Sequence, residues 1–161
     1  MSLASLERAV PVGDRLLLDS SVAIAYLTGD ELVSAGAARI VDGWLRSGRN
    51  EAVVSAVTVT ETLVRAMGRR PSEDAAIMTF FEQWPNLAIA PVDATVARAA
   101  AGVRALRGFS PPDALILGTA IAATGARPIR VVTGDERWKA RSDALPTSVQ
   151  VVYLHDHLPF A

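Results

Sequence analysis

The chain has 161 residues, half of them hydrophobic, and a formal net charge of −1. This length suits one domain with a sizeable core, and the near-neutral charge argues against a protein that binds nucleic acid through bulk positive charge. The lack of cysteine excludes disulfides, zinc–thiolate sites and thiol nucleophiles, and the two histidines lie near the end, so any metal should be held by oxygen ligands.

Short apolar runs predict the strands of a buried sheet. Each run is rich in valine, leucine or isoleucine, as in strands that are covered on both faces. The first run stops abruptly at Asp19, just before a predicted helix. The predicted strands are residues 15–18, 52–57, 87–92, 129–133 and 149–154.

Helices are predicted between these strands from apolar residues at helical spacing. Asp30, Ser72, Asp93 and Ser110 are expected at helix starts. The alternation predicts an α/β fold with a mostly parallel central sheet flanked by helices on both faces. We expect residues 1–13 to be an arm without a regular element and residues 14–161 to form the domain. The predicted helices are 20–27, 30–47, 58–67, 72–84, 94–106, 110–124 and 136–141.

Four acids fall in comparable places along this pattern: Asp19, Glu61, Asp113 and Asp135. Asp19 and Asp135 end predicted strands, and the other two lie in first turns of predicted helices. If the strands are parallel neighbours, all four converge at the edge where open α/β folds bind ligands. Two carboxylates about 4 Å apart repel by roughly 4 kcal/mol at an effective dielectric of about 20. A hard divalent cation removes this repulsion, and an all-oxygen set fits Mg²⁺ or Mn²⁺.

Each acid also has a structural interpretation when it is taken alone. Asp19 and Asp135 could cap the helices that follow them, Asp113 could interact with a helix dipole, and Glu61 could be a surface residue.

Four segments resemble the acidic motifs of the PIN-domain ribonucleases, in the family's order. The size and ending resemble the VapC toxins of bacterial toxin-antitoxin pairs, and the resemblance covers about residues 15–155. The segments are Leu17-Leu18-Asp19-Ser20-Ser21-Val22, Thr60-Glu61-Thr62-Leu63, Pro112-Asp113-Ala114-Leu115-Ile116 and Val132-Thr133-Gly134-Asp135.

This resemblance implies a PIN-like three-layer sandwich that carries a Mg²⁺- or Mn²⁺-dependent endoribonuclease, the toxin of a VapBC-type pair. Such an enzyme hydrolyses RNA by a metal-activated water, is held inactive by a cognate antitoxin and is expected to form a homodimer. It would be cytoplasmic, in keeping with the lack of a signal peptide or of an apolar run long enough to span a membrane. The implied catalytic and metal residues are Asp19, Glu61, Asp113 and Asp135, with Ser21 and Thr133 as polar neighbours and Glu136 as a further candidate ligand.

Basic residues follow two of the acids and could contact flanking phosphates, although a solvated helix face is the preferred explanation for most of them. His155 and His157 alternate as a metal pair would, but they lie late in the chain and far from the acids. The basic residues are Arg65, Arg69, Arg70, Arg137, Lys139 and Arg141.

Two groups of apolar residues could either pack in the core or form a surface that binds a partner protein. The bulky group could form a core or a groove for an antitoxin segment. The alanine-rich helix at 94–106 could pack within the chain or form a dimer face. The bulky group consists of Trp44, Leu45, Met67, Phe80 and Phe81.

Two other functions compete with the nuclease. A catalytically inactive PIN-like module would bind RNA or a protein without cutting. A Mg²⁺-dependent phosphatase could use Asp19 as its nucleophile, but Ser21 stands where the second aspartate is expected, and the sequence has no phosphate-cradling glycine loop.

Overall fold

The computed structural model describes residues 3–66 and 71–159, in which five parallel strands form one sheet. The strand order is β3-β2-β1-β4-β5, so β1 lies at the centre. Every neighbouring pair is parallel, which confirms the predicted α/β fold. The strands are β1 (Leu16–Leu18), β2 (Ala52–Ser55), β3 (Leu87–Ala90), β4 (Ile129–Thr133) and β5 (Val149–Tyr153).

Helices connect the strands and cover both faces of the sheet. Helix α3 continues into a π-helical stretch, Arg39–Leu45, and short 3₁₀ turns follow β4 and β5. The helices are α1 (Leu3–Ala9), α2 (Ser20–Thr28), α3 (Ser34–Ala38), α4 (Ala56–Ala66), α5 (Pro71–Gln83), α6 (Ala94–Arg107) and α7 (Pro111–Ala122).

The side chains of β1 divide the core into two layers. Leu16 and Leu18 pack in a cluster with α1, α2, α3 and α5, and Leu17 packs in a cluster with α6 and α7. All three leucines are almost fully buried because successive strand residues point to opposite faces, and both faces are covered. The layers are therefore helix, sheet and helix.

The connection from β2 to α4 differs from the prediction. The strand ends at Ser55 and the helix begins at Ala56, two residues before the predicted start at Thr58. Glu61 consequently lies in the second turn of its helix, not in the first turn. The β-branched run from Val57 to Thr60 favours a strand locally, but these residues are helical in the folded chain.

The helix predicted from Asp30 begins at Ser34 instead. Ser34 Oγ donates to the carbonyl of Ala25 at 2.7 Å and accepts from the Glu31 amide at 3.0 Å. These bonds stabilise a bend after α2, so the regular helix begins only after the bend.

Residues 1–13, predicted as an arm, include α1. Leu6 and Val10 lie four residues apart and are fully buried in the same core as α2 and α3. This segment therefore contributes to the packing of the domain.

Most of the bulky apolar group forms core. Trp44, Leu45, Phe80 and Phe81 are all buried, so the alternative of a partner groove is wrong for these four. Met67, Arg69 and Arg70 lie outside the described residues.

Candidate active site

Three strands of the sheet end at the same edge and bring the sequence motifs together. Asp19 follows β1 directly, and its amide donates to the carbonyl of Val132 in β4 at 3.0 Å. Asp135 lies two residues beyond β4, while α4 and the start of α7 carry Glu61 and Asp113. Parallel strands place all of these termini at the edge where ligand sites of α/β folds form.

Asp19 is the most buried of the four acids, with 4% of its surface exposed. Its Oδ2 accepts hydrogen bonds from Ser21 Oγ at 2.7 Å and from Thr133 Oγ1 at 2.8 Å. The side chain makes no capping hydrogen bond to α2, so the capping interpretation is wrong for this residue. Ser21 and Thr133, predicted as polar neighbours, fix the orientation of the Asp19 carboxylate.

The same two hydroxyls also hold the chain after β4. The Gly134 amide donates to Ser21 Oγ at 2.8 Å, and the Asp135 amide donates to Thr133 Oγ1 at 2.9 Å. Each hydroxyl is therefore donor to Asp19 and acceptor from a backbone amide. The network joins the ends of β1 and β4 and gives the carboxylate one position.

Burial raises the pKa of the Asp19 carboxyl, and the nearby charge of Asp113 raises it further. Hydrogen bonds from Ser21 and Thr133 act in the opposite direction. A carboxylate held in a poorly solvated place is best stabilised in its charged form by a cation close by.

Glu61 and Asp113 are each fixed by a neighbouring serine. Ser20 donates a short hydrogen bond to Glu61 Oε2, and Ser110 Oγ donates to Asp113 Oδ2 at 2.6 Å. Ser110 also accepts from the Asp113 amide at 3.3 Å, which confirms its predicted position at the start of α7. Sequence patterns did not single out Ser20; its position directly after Asp19 is the signal that marks it.

Asp135 is bound by an arginine two residues further on. Arg137 Nε lies 2.9 Å from Oδ1 and 3.0 Å from Oδ2, and Nη2 lies 2.5 Å from Oδ2. The Arg137 amide also donates to Oδ1 at 2.9 Å, as in a helix cap. This arginine holds the pKa of Asp135 below its usual value, against the opposing effect of burial.

All four acids line one open cleft of about 340 Å³. They are not packed as ligands of a single ion, because the described residues contain no group of three or more His, Cys, Asp or Glu side chains placed to hold one. The residues that line the cleft are Asp19, Ser20, Ser21, Ile24, Glu61, Arg65, Asp113, Asp135 and Arg137.

The side chains that line the cleft are nevertheless of the chemical types that bind Mg²⁺ or Mn²⁺. The cleft offers carboxylates and hydroxyls, which are the hard oxygen ligands that these ions prefer. Mg²⁺ commonly keeps several waters, so it does not need a complete protein cage.

Other predicted residues lie elsewhere. Glu136 does not line the cleft and pairs with Lys139 at 2.8 Å. Lys139 also contacts Asp156 at 2.5 Å. His157 is buried at hydrogen-bond distance from Ser5, 2.9 Å, which supports a structural role for this histidine.

A second cavity of about 360 Å³ adjoins the acidic cleft. Glu61, Asp113 and Arg137 line both spaces, and Ser110, Pro112, Trp138 and Arg141 complete the second one. A separate cavity of about 180 Å³ between α6, α7 and residues 144–146 is lined, among the described side chains, by apolar ones. The chemistry therefore belongs to the acidic cleft and its neighbour.

The fold and the cleft define a class of protein, namely parallel α/β domains with an acidic site at the carboxyl ends of their strands. Residues 16–143 match the family model of the PIN domain. The chain belongs to the PIN-domain family, which confirms the resemblance of its four motifs. None of the curated proteins matches the chain in sequence.

Solved structures with the same fold come from VapBC toxin-antitoxin systems. VapBC2 from Rickettsia felis, bound to a DNA fragment from the promoter, gives a TM-score of 0.62 at 12% identity, covering 86% of this chain and 98% of the other. VapBC-1 from nontypeable Haemophilus influenzae gives 0.61 at 17%, covering 88% and 98%. VapC20 from Mycobacterium tuberculosis, a sarcin-ricin loop cleaving toxin, gives 0.58 at 15%, covering 81% and 99%.

In the part of the chain that the structure describes, every helix is too short or too polar to cross a membrane.

Proposed function

We propose that this protein is a divalent-metal-dependent endoribonuclease, the toxin of a VapBC-type pair. The observation that carries the proposal is the shared cleft: the acids of all four PIN-like motifs line one space at the carboxyl edge of the sheet. VapC20, which has the same fold, is a toxin that cleaves the sarcin-ricin loop. Membership of the PIN family supports the same activity.

The proposed metal ligands are Asp19, Glu61, Asp113 and Asp135, and the ion would be Mg²⁺ or Mn²⁺. Direct contact with all four would require these carboxylates to move closer together than they lie in the open cleft. When bound, such an ion supplies a Lewis acid that activates water and stabilises the charge that develops on a phosphodiester. Ser21 and Thr133 hold Asp19 in one orientation, and Ser20 does the same for Glu61.

Arginines around the cleft provide contacts for the RNA backbone. Arg65 and Arg137 line the acidic cleft, and Arg141 lines the adjoining cavity. A guanidinium matches the geometry of a phosphate and supplies sequence-independent affinity. The choice of RNA is therefore expected to depend on contacts beyond these residues.

Cleavage of RNA by the purified protein tests the activity. We expect new termini with Mn²⁺ or Mg²⁺, no cleavage with EDTA, and a loss of at least about 100-fold in Asp19→Asn, because the metal site loses its central charge. Asp93→Asn is the matched control: Asp93 also lies between a strand and a helix, but it caps α6 through the Val96 amide and does not line the cleft. Equal activity of the two variants would refute the site.

A partner protein is the second part of the proposal. The structures with the same fold include VapBC complexes, which supports a cognate antitoxin. A homodimeric toxin is a further part of the proposal. The proposal predicts that the genome carries a small open reading frame for the antitoxin immediately upstream. Its product should co-purify with this chain and stop the cleavage of RNA, and light scattering should give twice the monomer mass for the free toxin. An upstream product that neither binds nor inhibits would contradict this part.

One observation favours an inactive binding module instead. Arg137 neutralises Asp135, as in a structural ion pair, and the described acids form no compact ion cage. Such a module would shift RNA on a native gel with Mn²⁺ present and leave its length unchanged on a denaturing gel. The nuclease predicts new termini in the same sample.

A further inference from the structure

The contact with Arg137 occupies most of the Asp135 carboxylate. Three N–H groups meet its two oxygens at 2.5 to 3.0 Å: the Arg137 amide, Nη2, and Nε, which lies near both oxygens. A carboxylate offers about four lone-pair positions, so little room remains for another ligand. A cation that binds Asp135 must therefore compete with Arg137.

The arginine itself is easily displaced. Its side chain is 84% exposed, whereas the Asp135 side chain is only 14% exposed. Ion pairs with such an exposed partner contribute little net stability, because water solvates the released guanidinium well. A divalent ion placed among several carboxylates interacts with Asp135 more strongly than Arg137 does.

Arg137 also stands between the two cavities. It lines the acidic cleft together with Asp135 and lines the adjoining cavity together with Arg141. When the Arg137 guanidinium leaves Asp135, it therefore remains next to the adjoining cavity, which is also lined by Arg141. The guanidinium fork that binds a carboxylate is equally suited to a phosphate.

We propose that Arg137 exchanges between Asp135 and a backbone phosphate of RNA. Without metal it neutralises Asp135; when a divalent cation takes Asp135, the released guanidinium binds a phosphate in the adjoining cavity. Metal binding and RNA binding are then coupled through one side chain. This inference rests on the proposed metal-dependent nuclease and adds a substrate-binding residue whose availability depends on the metal.

The first test measures Mn²⁺ affinity by isothermal titration calorimetry on the full chain without RNA. Arg137→Gln removes the competitor and should bind Mn²⁺ about three- to tenfold more tightly than the parent. Arg65→Gln is the matched control, because Arg65 lines the same cleft but pairs with Glu31 at 3.7 Å. It should change the affinity less than about twofold, since only a screened charge is lost.

A second pair of variants separates direct competition from general charge effects. In an Asp135→Asn background, Arg137→Gln should give no further gain in Mn²⁺ affinity, because the contact that it relieves no longer exists. Arg137→Lys keeps the charge but loses the fork, so its affinity should fall between those of the parent and Arg137→Gln. Equal Mn²⁺ affinities of Arg137→Gln and Arg65→Gln would overturn the inference.

The second test measures the affinity for a short mixed-sequence single-stranded RNA by fluorescence anisotropy. In EDTA, Arg137→Gln should weaken RNA binding by less than about twofold, because Arg137 is then occupied by Asp135 and only a screened charge is lost. With Ca²⁺, and with the RNA shown to be intact on a denaturing gel, the variant should bind about fivefold more weakly, the loss of one phosphate contact. Arg65→Gln should change the RNA affinity by the same factor in EDTA and in Ca²⁺. If Arg137→Gln also changes the RNA affinity by the same factor in both buffers, the exchange is refuted.

The outcomes distinguish this inference from the proposed function. A parent protein that binds no Mn²⁺ would refute both. A parent that binds Mn²⁺ and cuts RNA, together with an Arg137→Gln variant of unchanged Mn²⁺ affinity, would refute the exchange and leave the nuclease in place.

Discussion

Thr133 and Asp19, which are 114 residues apart in sequence, are joined by a hydrogen bond of 2.8 Å from Oγ1 to Oδ2. Thr133 is fully buried at the end of β4, and its hydroxyl also accepts from the Asp135 amide at 2.9 Å. One side chain therefore sets the orientation of Asp19 and the start of the loop that carries Asp135. Because β1 and β4 are hydrogen-bonded neighbours, this link is short and rigid.

Thr133→Val should reduce RNA cleavage at least about tenfold and weaken Mn²⁺ binding, because the Asp19 carboxylate loses one of its orienting donors. The variant also leaves the Asp135 amide without its partner in a buried place, so the free energy of unfolding should fall by about 1–3 kcal/mol. Mn²⁺ titration and urea denaturation of the same sample measure the two effects separately.

Thr62→Val is the control for this substitution. Thr62 is also buried, but its hydroxyl donates to the carbonyl of Thr58 within α4. We expect this variant to keep the Mn²⁺ affinity of the parent. Equal losses of Mn²⁺ affinity in both variants would contradict a special role for Thr133.

The strands and the order of the motifs could be predicted from sequence because their signals are local. Leu16, Leu17 and Leu18 are consecutive and all buried, which only a strand covered on both faces accommodates easily. A carboxylate directly after such a strand must lie at the edge of the sheet. Ser110 and Asp93 were predictable for a similar reason, since a helix start depends on a few adjacent residues.

The prediction failed where tertiary contacts outweighed local preference. Helix α1 has only seven residues, too few to show a clear apolar period, and the burial of Leu6 and of the following Val10 depends on the core that they enter. Ala56 and Val57 were predicted as the end of a strand, because β-branched valine favours strands, but both belong to α4 in the folded chain.

The pairing of Asp135 with Arg137 could not be predicted from spacing alone. An exposed arginine has many rotamers, and its choice of partner depends on which carboxylates surround it in space. The sequence showed that a base follows the acid by two residues. The 3₁₀ turn after β4 decides the rest. It places Arg137 against both oxygens of Asp135 and directs Glu136 toward Lys139.

Gly118 lies where the backbones of α6 and α7 pack close together. A Cβ at this position would lie 2.7 Å from the Val96 carbonyl oxygen and 2.8 Å from the Ala100 amide nitrogen. Gly118→Ala should therefore lower the free energy of unfolding by about 1–3 kcal/mol through overpacking. Gly102→Ala, in α6, meets no atom within 4 Å and should raise it by about 0.5–1 kcal/mol through helix propensity. Urea denaturation of both variants checks the difference, and a destabilised Gly102→Ala would contradict it.

Asp14 forms a largely buried ion pair at the opposite edge of the sheet. Its side chain is 7% exposed and accepts from Arg130 Nε at 2.9 Å, and Arg130 is itself only 20% exposed. Asp14→Ala leaves this guanidinium without its carboxylate partner and should lower the free energy of unfolding by about 2–4 kcal/mol. Arg127→Gln is the control, because Arg127 is 67% exposed and 3.5 Å from Asp14, and it should cost less than about 0.5 kcal/mol. Thermal melts of both variants test this, and similar losses would show that burial of the pair has no effect.

His157 should make the stability of the protein depend on pH. Burial lowers the pKa of its imidazole below the ordinary value of 6.5, and the neighbouring charge of Asp156 opposes this effect. The unfolded chain therefore takes up the proton at a higher pH than the folded chain does. The resulting stability is fully present above about pH 6.5 and is lost as the pH falls from there through the folded pKa. The same ring lies at hydrogen-bond distance from α1, with 2.9 Å between Nδ1 and Ser5 Oγ.

His157→Gln should flatten this loss of stability on the acid side, because glutamine does not titrate there. His155→Gln is the matched control: it removes the neighbouring half-buried imidazole and leaves the contact between Ser5 and His157 in place. Melting temperatures of the parent and both variants between pH 5 and pH 8 measure the effect, with the window set by the direction of the His157 shift. If the parent and His157→Gln lose stability equally toward pH 5, another group causes the loss of stability in acid. The contact between Ser5 and His157 is then not sensitive to protonation.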